Sequence, residues 1–361
     1  MKTKRLIISL MVLCCAMAVK AQNEVAIATL QHGNNVSVFK GPGALANALA
    51  AANEEGGDVI TLSEGRFTAA DITKPVSIYG AGFEKDNTNG TLLTQIYGDN
   101  MTVGRTDSGL LSGVHIEGVY LNCQLKVGGV ENTGPLKNFR VVKAFIKSMI
   151  VQSTNENTSF DQCVINGTMN CAENNNIYKT VISDLFFSNC VMNRGCFRRY
   201  YHADNSIVLD HCIFNVYCNS SNSYGIYYPF ENAPNTILTL RNSMYILASD
   251  SPRTESMYTI WPSGSKISNC ISDDGNIAKF EGCHTVLRAE VFKDGEDGMY
   301  TSSRSFELNE QLAAWVATDG SEIGIRGGNG WSKVPSTPVV KSLNVTPVGA
   351  NLNVTYEAEV R

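Results

Sequence analysis

The chain predicts an all-β fold, a parallel β-solenoid with a short capping helix in front and a β-hairpin behind. Three observations carry that reading. A six-residue pattern recurs seven times; its copies start 19 to 31 residues apart, so a constant core is joined by elastic loops; and the repeated segments are β-branched or aromatic and bounded by Asn, Gly and Ser. Helical repeats of similar length would need long stretches of 3.6-residue periodicity instead. Of 361 residues, 43% are hydrophobic and 17% charged, with 31 Gly and 10 Pro, which excludes collagen-like, coiled-coil and disordered chains.

Lys2, Lys4 and Arg5 precede an uncharged run from Leu6 to Val19, and Val19-Lys20-Ala21 stands before Gln22, the pattern of a signal peptide cleaved after Ala21. Leu13 before Cys14, and Cys14 before Cys15, argue against a lipoprotein anchor, and nothing later is apolar enough to span a bilayer. Cleavage removes four basic and no acidic residues, leaving 25 against 34, so a nucleic-acid partner is not expected. The expected domains are a signal peptide over 1–21, the solenoid with its cap over 22–330, and a hairpin segment over 331–361 packed on it.

After the signal, Leu45, Ala48, Leu49 and Ala52 lie between Pro42 and Gly56 at helical spacing and predict an amphipathic cap. The repeats come next, at 116–121, 141–146, 160–165, 187–192, 209–214, 240–245 and 267–272. Their first positions, Ile116, Val141, Phe160, Phe187, Leu209, Leu240 and Ile267, are expected to form one inward column. The third position, often Asn, suits a tight corner and can hydrogen-bond along the stack. The fourth is small and inward, and holds Cys163, Cys190, Cys212 and Cys270 beside Val119, Ala144 and Ser243. These cysteines read as buried, reduced core residues, because strands about 4.8 Å apart rarely give disulfide geometry. Cys196 and Cys218, off the column, are the better redox candidates. Neither a Cys-x-x-Cys pair nor zinc-ligand His spacing occurs.

The segments 58–67 and 72–82, Asp58-Val-Ile-Thr-Leu and Ile72-Thr-Lys-Pro-Val-Ser-Ile-Tyr-Gly-Ala-Gly82 among them, resemble the opening strands of pectate-lyase-like right-handed parallel β-helices, which come after a capping helix. The Asn-Cys repeats resemble the same superfamily. The leader and the stretch Ile323-Gly-Ile-Arg-Gly-Gly328 resemble secreted β-helix proteins of Bacteroidetes. The resemblance covers about residues 36 to 330. It implies a right-handed parallel β-helix exported to the periplasm, medium or surface of a Gram-negative bacterium, with a binding face on the strands and loops leading into each next repeat. Beyond Trp331, alternating stretches around Gly349-Ala350-Asn351 predict the terminal hairpin.

Eight of the 14 Tyr fall between Tyr200 and Tyr258, and ring faces beside hydrogen-bonding groups suit sugars. About half should point inward as core; Tyr201, Tyr228 and Trp261 are the expected exposed rings. Arg194, Arg198, Arg199, His202 and Lys179 form a basic island in an acidic chain. There Arg198 joins Tyr201, Tyr228 and Trp261 as substrate-binding candidates, while Lys179, Arg199 and His202 are the candidates for removing the α-proton of a uronate and stabilising its enolate. A solvated loop paired with Asp204 and Glu231 is the plainer reading. Absent are the Arg-x-Pro-x-x-Arg of calcium-dependent pectate lyases, the Asn-Thr-Asp, Gly-Asp-Asp and Gly-His-Gly of polygalacturonases and the Gln-Asp-Thr-Leu of pectin methylesterases. Asp273-Asp274 and 294–297 offer oxygens for calcium but lack its regular spacing, so no cofactor is expected. The expectation is a protein acting on or binding a polysaccharide or oligosaccharide, by lyase-like or hydrolase-like chemistry on an acidic glycan. The alternative is a noncatalytic glycan-binding or adhesive surface protein.

Overall fold

The computed structural model describes residues 26–361 except 130–133, 153–154, 172–181, 199–205, 217–225, 228–229, 232–236, 248–257, 260, 262–263, 296, 337–338, 349–350 and 360–361. It is a mostly β structure with parallel sheets and, among the described residues, a single α-helix. From Asp58 to Thr285 the chain alternates between two long sheets, adding a strand to one and then to the other. In the first sheet Asp58–Leu62, Val76–Tyr79, His115–Glu117, Arg140–Val142, Asn155–Asp161, Ile182–Ser188, Ser206–Asp210, Ile237–Arg241 and Lys266–Ser268 lie in sequence order, all parallel. Ile27–His32 and Asn35–Lys40 close its beginning as an antiparallel pair. The helix, Ala44–Ala51, buries Ala44, Leu45, Ala48 and Leu49 beside them, the apolar face the spacing predicted.

The expected inward column is present throughout. Ile116 faces Val141, then Phe160, Phe187, Leu209, Leu240 and Ile267 continue in unbroken register, all buried. It extends upstream through Ile78 and Ile60, which continue in register from Ile116. The fourth-position cysteines are buried and unbridged. Each thiol sits near two carbonyls, one from the first position of the repeat before it: Cys163 donates to Val141 O, Cys190 to Phe160 O and Cys212 to Phe187 O. A weak donor thus finds an acceptor where a larger polar group would not fit. Inside, rings interlock from Phe160 and Phe187, stacked at 5.1 Å, through Phe197, Phe214 and Tyr245 to Trp261 and Phe280.

Every third position has φ between +47° and +67°: Gly118, Lys143, Gln162, Asn189, His211, Asn242 and Asn269. This left-handed residue turns the chain from one sheet to the other while keeping positions one and four inward. For non-glycine residues it costs about 1 kcal/mol or more apiece. Most of these side chains do not stack on one another as the sequence suggested; they point outward to a returning segment. Asn269 donates to Val316 O, Asn242 to Thr318 Oγ1, and Asn189 to Ile325 O and Gly327 O, while Gln162 accepts from Ser332 N–H and Lys143 donates to Ser336 Oγ. Residues 316–336 therefore run back along the corner, against the direction of the stack. At its far end Pro335 lies on Gly118, where an added Cβ would come within 2.7 Å of Pro335 Cγ and 2.8 Å of Gly80 O.

The paired strands of the two sheets end at His284–Thr285, and the chain beyond them serves as cover. On the outer face of the second sheet, Val191, Ile213, Met244 and Ile271, in register, are apolar and pack beneath Val291, Phe292, Phe306, Leu308 and Ile323. Toward the beginning of the stack the same outward line reads Arg66, Gln95 and Tyr120, and is less buried. Val339–Val348 and Asn351–Glu359 form the terminal hairpin, pairing with each other.

Replacing Leu209 by Asp buries an unpaired carboxylate in the column. The expected outcome is loss of the cooperative unfolding transition, read by circular dichroism against denaturant; a folded variant of near wild-type midpoint would contradict the inward placement.

Candidate functional site

Along the first sheet, residues flanking the inward column point outward and line up across strands. One row runs Tyr79, Glu117, Val142, Asp161, Ser188, Asp210, Arg241, and the parallel row places Ser77, His115 and Arg140 side by side. Between this face and the end of the returning segment lies a cleft of about 540 Å³ lined by Tyr79, His115, Glu117, Arg140, Lys143, Asp161, Gln162 and Ser336.

His115 Nε2 lies 3.2 Å from Glu117 Oε2, and the Tyr79 ring tilts against the imidazole with centroids 5.2 Å apart. Glu117 is 4% exposed, and its other oxygen accepts the Ser336 backbone N–H at 2.6 Å. Burial alone pushes this carboxyl up, but His115 and Ser336 together outweigh it and hold the group at about 2. Arg140 occupies the strand next to His115, donates to Asp161 at 3.3 Å and remains 55% exposed at its side chain. Asp161 also accepts from Ser188 Oγ at 2.6 Å, which links this cleft to a second of about 350 Å³. There Arg241 donates to Asp210 at 2.7 Å, and buried His211 places Nε2 3.3 Å from Asp319 beneath Gly328. The arrangement offers an aromatic face, a base oriented by a carboxylate, and a guanidinium with room for a further anion.

Of the site residues expected from sequence, Arg198 and Trp261 are described, and neither lines this cleft. Lys179, Arg199, Tyr201, His202, Tyr228 and Asp204 lie outside the described residues. Arg198 ends a strand of the second sheet, in register with Asn170 and Glu231 on its neighbours. Trp261 is half-buried, its ring between Tyr245 and Phe280 at the end of the core. Asp274 caps the 3-10 turn Gly275–Lys279, Asp273 accepts from Leu247 N–H, and Asp297 from Met299 N–H. Among the described residues, no group of three or more His, Cys, Asp or Glu is placed to hold a metal ion, and no helix is long and apolar enough to cross a membrane. His115 and Glu117 went unnoticed although they flank Ile116, the first column residue; reading the outward neighbours of each column position would have found them. No family model, curated protein or solved structure matches the chain.

Glu117 has a folded value below its ordinary 4.5, so its contribution to stability is complete above that value and is lost as pH falls toward about 2. Glu117→Gln should therefore destabilise the protein near neutrality by on the order of 1 to 3 kcal/mol, with the gap to wild type closing between about pH 4.5 and 2. Urea unfolding at stepped pH measures it; a gap independent of pH would show that Glu117 is not the titrating group.

Proposed function

We propose that the chain is an exported right-handed parallel β-helix of the pectate-lyase-like kind that engages an acidic polysaccharide on the outer face of its first sheet, with lyase-type chemistry at His115. The observation that carries this reading is the juxtaposition of His115, oriented by ionised Glu117, with half-exposed Arg140 on the adjacent strand. A uronate carboxylate seated on Arg140 gains a charge-assisted, bidentate contact, and Tyr79 offers the apolar side of a sugar ring a surface. With its Nε2–H donated to Glu117, the imidazole presents Nδ1 as the proton acceptor. Taking the proton α to the carboxylate leaves an enolate that Arg140 stabilises, and expulsion of the glycosidic oxygen yields an unsaturated sugar. Hydrolysis fits less well. It needs a carboxylic acid to protonate the leaving group, whereas Glu117 is held ionised. The fold assignment rests on the alternation of two parallel sheets, and export on the leader-like sequence at 1–21.

A specific observation favours the noncatalytic alternative: Glu117 also anchors Ser336, and Arg140 also serves Asp161, so both groups have structural duties. The basic and aromatic stretch from Lys179 to Trp261 is the competing candidate.

The test is a panel of polyuronates and neutral glycans offered to purified protein, with binding, unsaturated ends and reducing ends read separately. Retention of a polyuronate with unsaturated products is expected. Arg140→Ala should weaken binding by about 1.5 to 3 kcal/mol, and His115→Gln should abolish products while sparing binding. Binding without products selects the noncatalytic reading. Loss of binding in Arg199→Ala but not in Arg140→Ala moves the site to the stretch from Lys179 to Trp261.

A further inference from the structure

The fourth-position column does not end at Cys270. Ile271 pairs in parallel register with His284, whose N–H donates to Cys270 O at 2.8 Å, so Cys283 stands beside Cys270 as the next member. One strand spacing, about 4.8 Å, separates their backbones. That lies within the Cα range of a disulfide, about 4.4 to 6.8 Å. The neighbouring Cys270 thiol lowers Cys283, while burial pushes Cys270 up.

Two features separate this pair from Cys163, Cys190 and Cys212, which share the ladder. Those three are fully buried between strands continued on both sides, so neither oxidant nor backbone adjustment reaches them. Cys283 is 8% exposed, adjoins the last strand of its sheet, and comes directly after Gly282 at φ +65°. The short turn between the two cysteines carries Ile277, which plugs the core, and Phe280, which packs edge-on against Trp261.

We propose that Cys270 and Cys283 are an oxidisable dithiol at the end of the stack, closed by exchange with a small-molecule disulfide such as oxidised glutathione. The Cys283 thiolate attacks one sulfur of that disulfide, forming a mixed disulfide and expelling one thiolate. Cys270 then gives up its proton and attacks the Cys283 sulfur, expelling the second thiol. Two protein thiols are oxidised and one external disulfide is reduced to two thiols. Closure staples the turn that seals the core.

The experiment treats native, fully reduced protein with oxidised glutathione, then alkylates, digests and maps peptides by mass spectrometry. The expected result is a peptide pair joined through Cys270 and Cys283 and lighter by two hydrogens than its reduced form. Cys283→Ser should lose that bridge, and Cys270→Ser should retain glutathione on Cys283, since nothing resolves it. Any wild-type map in which Cys270 and Cys283 are not linked, including a persistent glutathione adduct on Cys283, overturns the proposal. The wild-type map decides even if the Cys270 variant does not fold.

Discussion

A single left-handed residue in each repeat is the constraint on which the rest of the structure depends. Two extended segments joined without it would carry their side chains in strict alternation, and positions one and four could not both face the interior. With it, the chain changes sheet in one residue and the inward columns on both sheets stay in register through every repeat from Ile116 to Ile267. Parallel pairing is the result, because each repeat finds its hydrogen-bond partners only in copies of itself. The conformational cost recurs at each repeat, and is offset by the burial of the columns.

The same bend throws the third side chain outward, and the protein uses that row as a set of clamps. Asn189, Asn242 and Asn269 present amides to the backbone of residues 316–327, a segment without a ladder of its own, and so satisfy backbone groups that lie against the corner. Where the row reaches Gly118 the clamp gives way to close packing, and the backbone beyond it reaches Glu117. The acidity of Glu117, the orientation of His115 and the course of the returning segment are consequently one problem in packing. The cleft is assembled from the outward neighbours of the columns and walled by this segment. It is a by-product of how the corner is closed as much as a property of the sheet.

Much of the scaffold was legible because the inward positions are fixed by a steric rule that the sequence cannot evade: Phe160, Phe187 and Leu209 must be apolar, and Cys163, Cys190 and Cys212 small. The segments at Ile60 and Ile78 were read only as opening strands and not as members of the column, and the last copy, at Cys283, was not read at all. The corner residues were read for the correct conformation and the wrong partner, because a hydrogen bond from Asn189 to Ile325 depends on a return path that no local signal encodes. Trp261 illustrates a further limit. An aromatic in a Tyr-rich stretch reads equally as binding surface or core, and only the rings it meets, Tyr245 and Phe280, place it against the core. His115 and Glu117 were hidden for the opposite reason: charged residues beside a strand are so common that register alone gives them meaning.

The return path has a consequence for how the molecule comes into being. A stack of repeats can add members one after another, each docking on the last as it leaves the ribosome, with contacts that remain local. Here the first repeats stay unfinished until the last tenth of the chain arrives, for Gly118 is covered by Pro335 and Glu84 is neutralised by Lys333. Until residues 291–323 arrive, the outer faces of Val191, Ile213 and Met244 are bare apolar strips of the kind that recruit chaperones or neighbouring copies. A nascent chain stalled or cut before residue 286 would hold most of its strands and still lack its outer coat. Completion is a late, long-range event, and it ties separate repeats together through one continuous segment.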